Sequence, residues 1–239
     1  MYAEFAEVYD RLMGDFQYPK WAEYYLALLE RVDCRPDALC DCACGTGSMS
    51  LEFAGRGIVV TGVDASEEML RQAQHKARAR GMMLPFVRQD MRELSLHRPV
   101  DAIVCACDGV NYLLDDEDLS RFFGAAWRNL KPGGVLAFDV SSAEKLRAQA
   151  QARFFGEDLP DLTYLWHNQY DEVRQTVQMD LCFFLRQKDG LYVRFDEQQT
   201  QRVHEMDSLI DALHRAGFED VRCYGDRTFE PPQKGEVRL

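Results

Sequence analysis

The sequence predicts an α/β fold in which a mostly parallel sheet is covered by helices on both faces and an antiparallel β lobe is inserted. Three observations carry this reading. Residues 38–141 alternate apolar runs with helical stretches, residues 160–204 turn aromatic and β-branched, and residues 206–224 return to helix and then strand. Continuous apolar runs suit strands buried on both faces of a parallel sheet, whereas approximate alternation suits strands with one wet face.

The elements follow in order. Phe5, Val8, Tyr9 and Leu12 fall at i, i+3, i+4 and i+7, and Trp21 to Val32 continues the helical pattern after Pro19, until Pro36 and Asp37 break it. Apolar runs at 38–43, 58–63, 84–88, 101–106 and 134–140 predict five strands. The intervening segments Gly47–Arg56, Glu67–Arg80 and Asp116–Leu130 predict helices, with Ser66 as an N-cap and Gly81 as a stop. Leu162–Asp171, Thr176–Leu185 and Leu191–Thr200 predict about three antiparallel strands, with Lys188-Asp189-Gly190 as a hairpin turn. Met206–Ala216 then reads as a helix stopped by Gly217, and Phe218–Tyr224 as a strand. Residues 227–239, with Pro231-Pro232, read as irregular or an edge.

Composition narrows the function. The 239 residues and 27.6 kDa fit one domain with an inserted lobe. No run is long and apolar enough for a membrane span, and the acidic opening MYAEFAEVYDRLM is not a signal peptide, so a cytoplasmic protein is expected. A net charge of −12 argues against nucleic acid as substrate, because phosphates need lysine and arginine. The densest basic stretch, Arg71 to Arg80, reads as a solvated helix face. Cys40, Cys42 and Cys44 alternate, as do Cys105 and Cys107. Zinc sites favour CxxC knuckles, so these thiols are expected to pack as small apolar side chains, and no metal is expected.

The chemistry concentrates in Leu39-Cys40-Asp41-Cys42-Ala43-Cys44-Gly45-Thr46-Gly47, a strand that runs into a glycine turn before a helix. Such a turn lets backbone N–H groups and the helix N-terminus approach a ligand. Asp64, at the end of the next strand, can accept both hydroxyls of a ribose. Together they imply an adenosine-type ligand. The GxGxxG frame reads Gly45, Gly47 and Ser50, which argues against a dinucleotide oxidoreductase. Gln89-Asp90-Met91 supplies an acid suited to an adenine amino group, and Leu130-Lys131-Pro132-Gly133-Gly134 precedes the fifth strand.

With these segments the chain resembles the class I S-adenosylmethionine (SAM)-dependent methyltransferases: DCACGTG, GVDAS, QDM, DAIVCACDGVNYL, LKPGG and AGFEDV occur in order from residue 41 to 221. FAEVYDRLM together with DGVNYL is similar to a bacterial, small-molecule-type subgroup. The resemblance implies a Rossmann-like sheet of seven strands, the last antiparallel, and SAM as methyl donor. It implies a helical cap at 1–36, a SAM-binding domain at 37–145 and 205–239, and an inserted β lid at 146–204. Asp41 would meet the methionine amine, while Ala43, Gly45 and Gly47 would pass backbone beneath the ligand. Asp64 would hold the ribose, with Ala65 and Met69 beside the adenine. Asp90 would take the adenine amino group, with Met91 on the ring. Cys107 and Asp108 would flank the methionyl group, and Tyr9 would close over the sulfonium. Ala43 departs from the glycine many members carry, and fits if its φ stays negative.

Methyl transfer from a sulfonium rests largely on alignment, and a general base is needed only for a protonated nucleophile. Candidate groups are Asp108, Asn111 and Tyr112 after the fourth strand, and Tyr164, His167, Tyr170 and His204 from the insertion. The aromatic lid suggests a hydrophobic or ring-bearing small-molecule acceptor, and equally suits a homodimer interface. A tRNA or rRNA methyltransferase and a non-catalytic SAM-binding or partner-binding protein are the alternatives.

Overall fold

The computed structural model describes residues 2–239, with side chains from Phe5 onward except that of Glu7. Strands β1 (Ala38–Cys42), β2 (Val59–Asp64), β3 (Phe86–Arg88), β4 (Val100–Cys105) and β5 (Leu130–Phe138) form a parallel sheet in the order β3-β2-β1-β4-β5. Both faces are covered, as the apolar runs require. In β1, fully buried Leu39 packs in the cluster containing Trp21, Phe53 and Val104, while its neighbour Cys40 packs with Ile103, Phe122 and Leu209 on the other face.

The first face is closed by α2 (Tyr18–Glu30) and α3 (Ser48–Ala54), the second by α5 (Asp116–Asn129) and α7 (Met206–Ala216). α4 (Glu67–Ala79) follows β2; its N-cap Ser66 accepts from Met69 N, as its sequence position predicts. Strand order reverses between β1 and β4, and open α/β sheets form their ligand crevice beyond the carboxyl ends at such a switch point.

A second sheet is antiparallel, in the order β6 (Phe154–Asp158), β7 (Leu162–Asp171), β8 (Thr176–Arg186) and β9 (Tyr192–Arg202). Its inner face shares a buried cluster with α1 (Tyr2–Leu12) and α6 (Ala143–Gln151), where Phe5 of α1 lies 5.8 Å from Phe183 of β8. The two N-terminal helices are therefore buried in different clusters.

Two expectations are corrected. The main sheet has five strands among the described residues, not seven, and none is antiparallel. Residues 218–224 form no strand; Phe218 and Val221 pack on the core, but no ladder joins them to β5, and both segments line an apolar cavity of ≈ 180 Å³. The chain beyond β5 is met instead by the C-terminal residues: Val140 and Leu239 exchange N–H···O bonds of 2.8 and 2.9 Å. The antiparallel lobe has four strands rather than about three. The extra strand, β6, is exposed along its whole length, so no buried pattern marks it. No described helix is long and apolar enough to cross a membrane.

Candidate cofactor site and active site

The turn after β1 is built from left-handed residues: Ala43 (φ 56°), Gly45 (φ 53°) and Gly47 (φ 73°). The positive φ at Ala43 overturns the expectation of a negative one, so an L-residue carries strain there. Gly45 N–H donates to Asp64 Oδ2 at 2.8 Å, and Ser66 N–H donates to Asp64 Oδ1 at 2.8 Å. The acid ending β2 is thereby fixed against the glycine turn. A Cβ on Gly45 would meet nothing within 4 Å, whereas one on Gly47 would lie 2.7 Å from Ala73 Cβ. Gly47 thus lets α3 approach α4 and does not line the crevice.

The crevice is a cavity of ≈ 760 Å³ at the carboxyl ends of the parallel strands, within the size range of small-molecule sites. Of the residues expected from sequence, Tyr9, Asp41, Ala43, Gly45, Asp64, Ala65, Met69, Asp90, Met91 and Cys107 line it, while Gly47 and Asp108 do not. Asp41 is 1% exposed and accepts from Ser50 Oγ at 2.5 Å. Burial pushes its carboxyl up to about 7, with Asp64 adding to the rise. Burial also raises the Asp64 carboxyl against its amide donors.

Asp90 is not a free acid. Arg92 Nε lies 2.9 and 3.0 Å from its two oxygens, and Arg92 Nη1 reaches Asp118 at 2.9 Å. These hydrogen bonds hold the Asp90 carboxyl below its usual range. The lining also includes Phe5, Tyr9 and Tyr18, and Tyr112, Leu113, Leu114, Gln198, Gln199 and Thr200. Tyr112 OH donates to Gln199 Oε1 at 2.8 Å, tying the 3-10 turn Gly109–Tyr112 to β9.

The catalytic candidates separate. Tyr112 lines the cavity. Asp108 faces Arg238, and Asn111 is wholly buried, with its amide bonded to Ser141 on both sides and to Arg202 O at 3.0 Å. His204 is buried with Nε2 3.2 Å from Val110 O, and burial lowers its pKa to about 4, so the ring stays neutral. His167 lies 3.9 Å from Asp180 within the second sheet, and Tyr164 and Tyr170 bond Glu157 and Gln175. None of these six lines the cavity. Among the described residues, no three His, Cys, Asp or Glu side chains converge to hold a metal.

Sequence reading missed a polar latch. Lys76 Nζ of α4 lies 2.8 Å from Asp10 Oδ2 of α1, 3.0 Å from Thr46 Oγ1 and 2.6 Å from Ser48 Oγ; Thr46 also donates to Asp10 at 2.6 Å. It pins α1, and with it Tyr9, to the glycine turn. Asp10 and Lys76 are 66 residues apart, so only the adjacency of Asp10 to Tyr9 pointed there.

Comparisons with known proteins agree with this geometry. Residues 39–134 match the methyltransferase-domain family. A Bacillus subtilis protein designated a methyltransferase, YqeM, is 35% identical over 240 residues, covering 100% of this chain and 95% of the relative. The crystal structure of a SAM-dependent methyltransferase from Clostridium acetobutylicum superposes with a TM-score of 0.90 at 30% identity, covering 99% of this chain and 96% of that one. A glycine/sarcosine N-methyltransferase from Aphanothece halophytica is 28% identical over 198 residues, covering 78% of this chain and 68% of the relative.

Proposed function

Because this chain belongs to the class I SAM-dependent methyltransferases, we propose that it methylates an uncharged or cationic small molecule held at the aromatic end of the ≈ 760 Å³ cavity. The observation that carries the acceptor class is the lining. Phe5, Tyr9, Tyr18, Tyr112, Gln199 and Thr200 give the lining hydroxyls, amides and apolar surface, and no lysine is among the described residues that line it. The two arginines lining the cavity, Arg88 and Arg92, face Glu67 and Asp90. An anionic acceptor needs charge-assisted donors that are not already engaged.

The residues fit the methyl donor. Asp64 presents a carboxylate held by two backbone amides, which suits the ribose hydroxyls, and the space beside Gly45 lies open. Asp41 offers a buried acid to the methionyl amine; Ala65, Met69 and Met91 give the purine apolar contact, and Cys107 borders the methionyl end. Asp90, whose oxygens accept from Arg92, would also take the adenine amino group.

When bound, SAM would supply an activated methyl group, with its sulfur as the leaving group in line with the acceptor. The acceptor's lone pair forms the new bond, and the carbon–sulfur bonding electrons remain on sulfur. Tyr9 and Tyr18 shape the apolar wall around the transfer path, and Tyr112 with Gln199 orients the acceptor by hydrogen bonds. No histidine is among the described residues that line the cavity, so an amine acceptor would react as the neutral base and release its proton to water. In this reading residues 37–145 and 205–239 bind SAM, residues 1–36 form the cap, and residues 146–204 form the lid.

The N-methyltransferase relative supports an amine acceptor. The acidic net charge of −12 weighs against RNA. The test follows release of S-adenosylhomocysteine (SAH) with matched acceptors, a neutral amine against its phosphorylated counterpart, and with bulk tRNA. Turnover of the amine alone is expected. Methylation of the tRNA, with a salt-sensitive gel shift, would overturn the proposal, and tight SAM binding without turnover of any acceptor would indicate a sensor.

A further inference from the structure

Behind the cavity wall lies a buried charge cluster that the proposed chemistry does not use. The residues after β4 turn sharply: Cys107 (φ 61°) and Asp108 (φ 63°) are consecutive non-glycine residues in the left-handed region. That conformation is costly for L-residues and persists only where surrounding structure enforces it. Here the enforcement is Asp139, just beyond β5. Its Oδ1 accepts from Cys107 N–H at 2.8 Å, and its Oδ2 accepts from Asp108 N–H at 3.1 Å. Tyr25 of α2 adds a hydroxyl bond to Oδ1 at 2.5 Å. Asp139 is 4% exposed, so its charge needs a partner.

That partner comes from the far end of the chain. The bonds between Val140 and Leu239, with Ser142 N–H to Val237 O at 3.1 Å, lay residues 237–239 antiparallel to residues 140–142. Arg238 is thereby set between two acids, with its Nη1 against both Asp139 Oδ2 and Asp108 Oδ1. Its side chain is 14% exposed, and the guanidinium carbon lies 5.4 Å from the Trp21 ring centroid. Lys145 of α6 is the next cation, 3.9 Å from Asp108 Oδ2.

We infer that Arg238 is a positioning residue for methyl-donor binding: by neutralising Asp108 and Asp139 together it holds the left-handed turn that sets Cys107 into the cavity wall. The inference rests on the proposed placement of the methionyl end beside Cys107. Without the guanidinium, two acids would share a buried space, and one would take up a proton. A protonated Asp139 accepts amide bonds more weakly than a carboxylate, so the turn would loosen. Asp139 is faced by Tyr25 from α2, by the Cys105 and Cys107 thiols, by Asp108 and by Arg238. Burial and the neighbouring acids push both thiols well above their ordinary value, so they stay neutral.

The test measures SAM affinity by calorimetry, and Tm, for the wild type, Arg238→Met, Arg238→Lys and the double variant Arg238→Met/Asp108→Asn, from mildly acidic to mildly alkaline pH. Methionine keeps an unbranched apolar side chain and removes the charge. Losing one charge-assisted contact should raise the SAM Kd of Arg238→Met about tenfold. The loss should grow as pH falls and Asp139 takes up its proton, and removing the second acid in the double variant should recover most of it. Arg238→Lys should lie between, because lysine keeps the charge on a side chain one bond shorter than the reach to Nη1, which contacts both carboxylates. If Arg238→Met lowers Tm while its SAM Kd stays at the wild-type value, or if the loss is independent of pH and unrepaired by Asp108→Asn, Arg238 is structural and the inference fails. If Arg238→Met does not fold, an Arg238→Lys variant with wild-type Kd at every pH overturns the inference equally. Wild-type protein that binds no SAM would instead bring down the cofactor site, and this inference with it.

Discussion

Ala43 holds its side chain at φ 56°, and replacing it by glycine measures what that conformation costs. An L-residue in the left-handed region is disfavoured by about 1–2 kcal/mol, which glycine would relieve. Two terms oppose the gain. Glycine makes the unfolded chain more flexible, at a cost of about 0.4–1 kcal/mol. The half-buried Ala43 methyl lies where a Cβ on Gly109 would come within 3.2 Å, and losing it forfeits part of the roughly 0.8 kcal/mol that a buried methylene contributes. The balance is a net stabilisation of about 0.5 kcal/mol, a rise in Tm of about 1–2 °C for a domain of this size. The reciprocal change, Gly45→Ala, meets no atom within 4 Å, so its cost is conformational alone, about 1 kcal/mol and a fall of about 2–4 °C. Calorimetric scans of both variants beside the wild type separate these effects. A lower Tm for Ala43→Gly would refute the reasoning, since methyl packing would then outweigh backbone strain.

Three further outcomes are expected. Asp64→Ala removes the acceptor fixed by Gly45 and Ser66 amides and should raise the SAM Kd about 10- to 100-fold, read by titration calorimetry. Asp41 has a folded-state pKa of about 7, above its unfolded value, so its contribution to stability is present at acid pH and fades as pH climbs through 7. Asp41→Asn should therefore flatten the fall in Tm between roughly pH 4 and 7, and a profile like that of the wild type would contradict the burial-driven shift. Lys76→Met breaks the latch to Asp10, Thr46 and Ser48; because both charges are partly solvated, the SAM Kd should rise only about three- to tenfold, mainly through faster dissociation in stopped-flow traces.

The sequence was most informative where geometry is local. A strand, a glycine turn and an acid on the next strand lie within 24 residues, and each constrains its own backbone, so Asp41, Gly45 and Asp64 could be placed in one crevice from the sequence alone. What stayed hidden depended on distant chain. The alternation in Phe218–Tyr224 looks like a strand, but ladder formation also needs a neighbour within hydrogen-bonding distance, and residues 237–239 meet the chain beyond β5 instead. The sign of φ at Ala43 is a property of the closed turn and is not encoded in a propensity. His204 has the chemistry of a base, yet a backbone carbonyl of Val110 holds its ring. Arg238 carries no local motif; its significance arises only when residues 99 and 130 positions earlier converge on it.

The claim on which the rest depends is that one nucleoside lies among the Gly45 backbone, Asp64 and Asp90. A crystal structure of the protein saturated with SAH tests it most directly. Density should place the ribose hydroxyls on Asp64, the purine against Met91, and the sulfur facing the end lined by Tyr9 and Tyr112. SAH lodged elsewhere, for instance in the apolar cavity beside Tyr25 and Leu213, with the crevice at Asp64 empty, would contradict it.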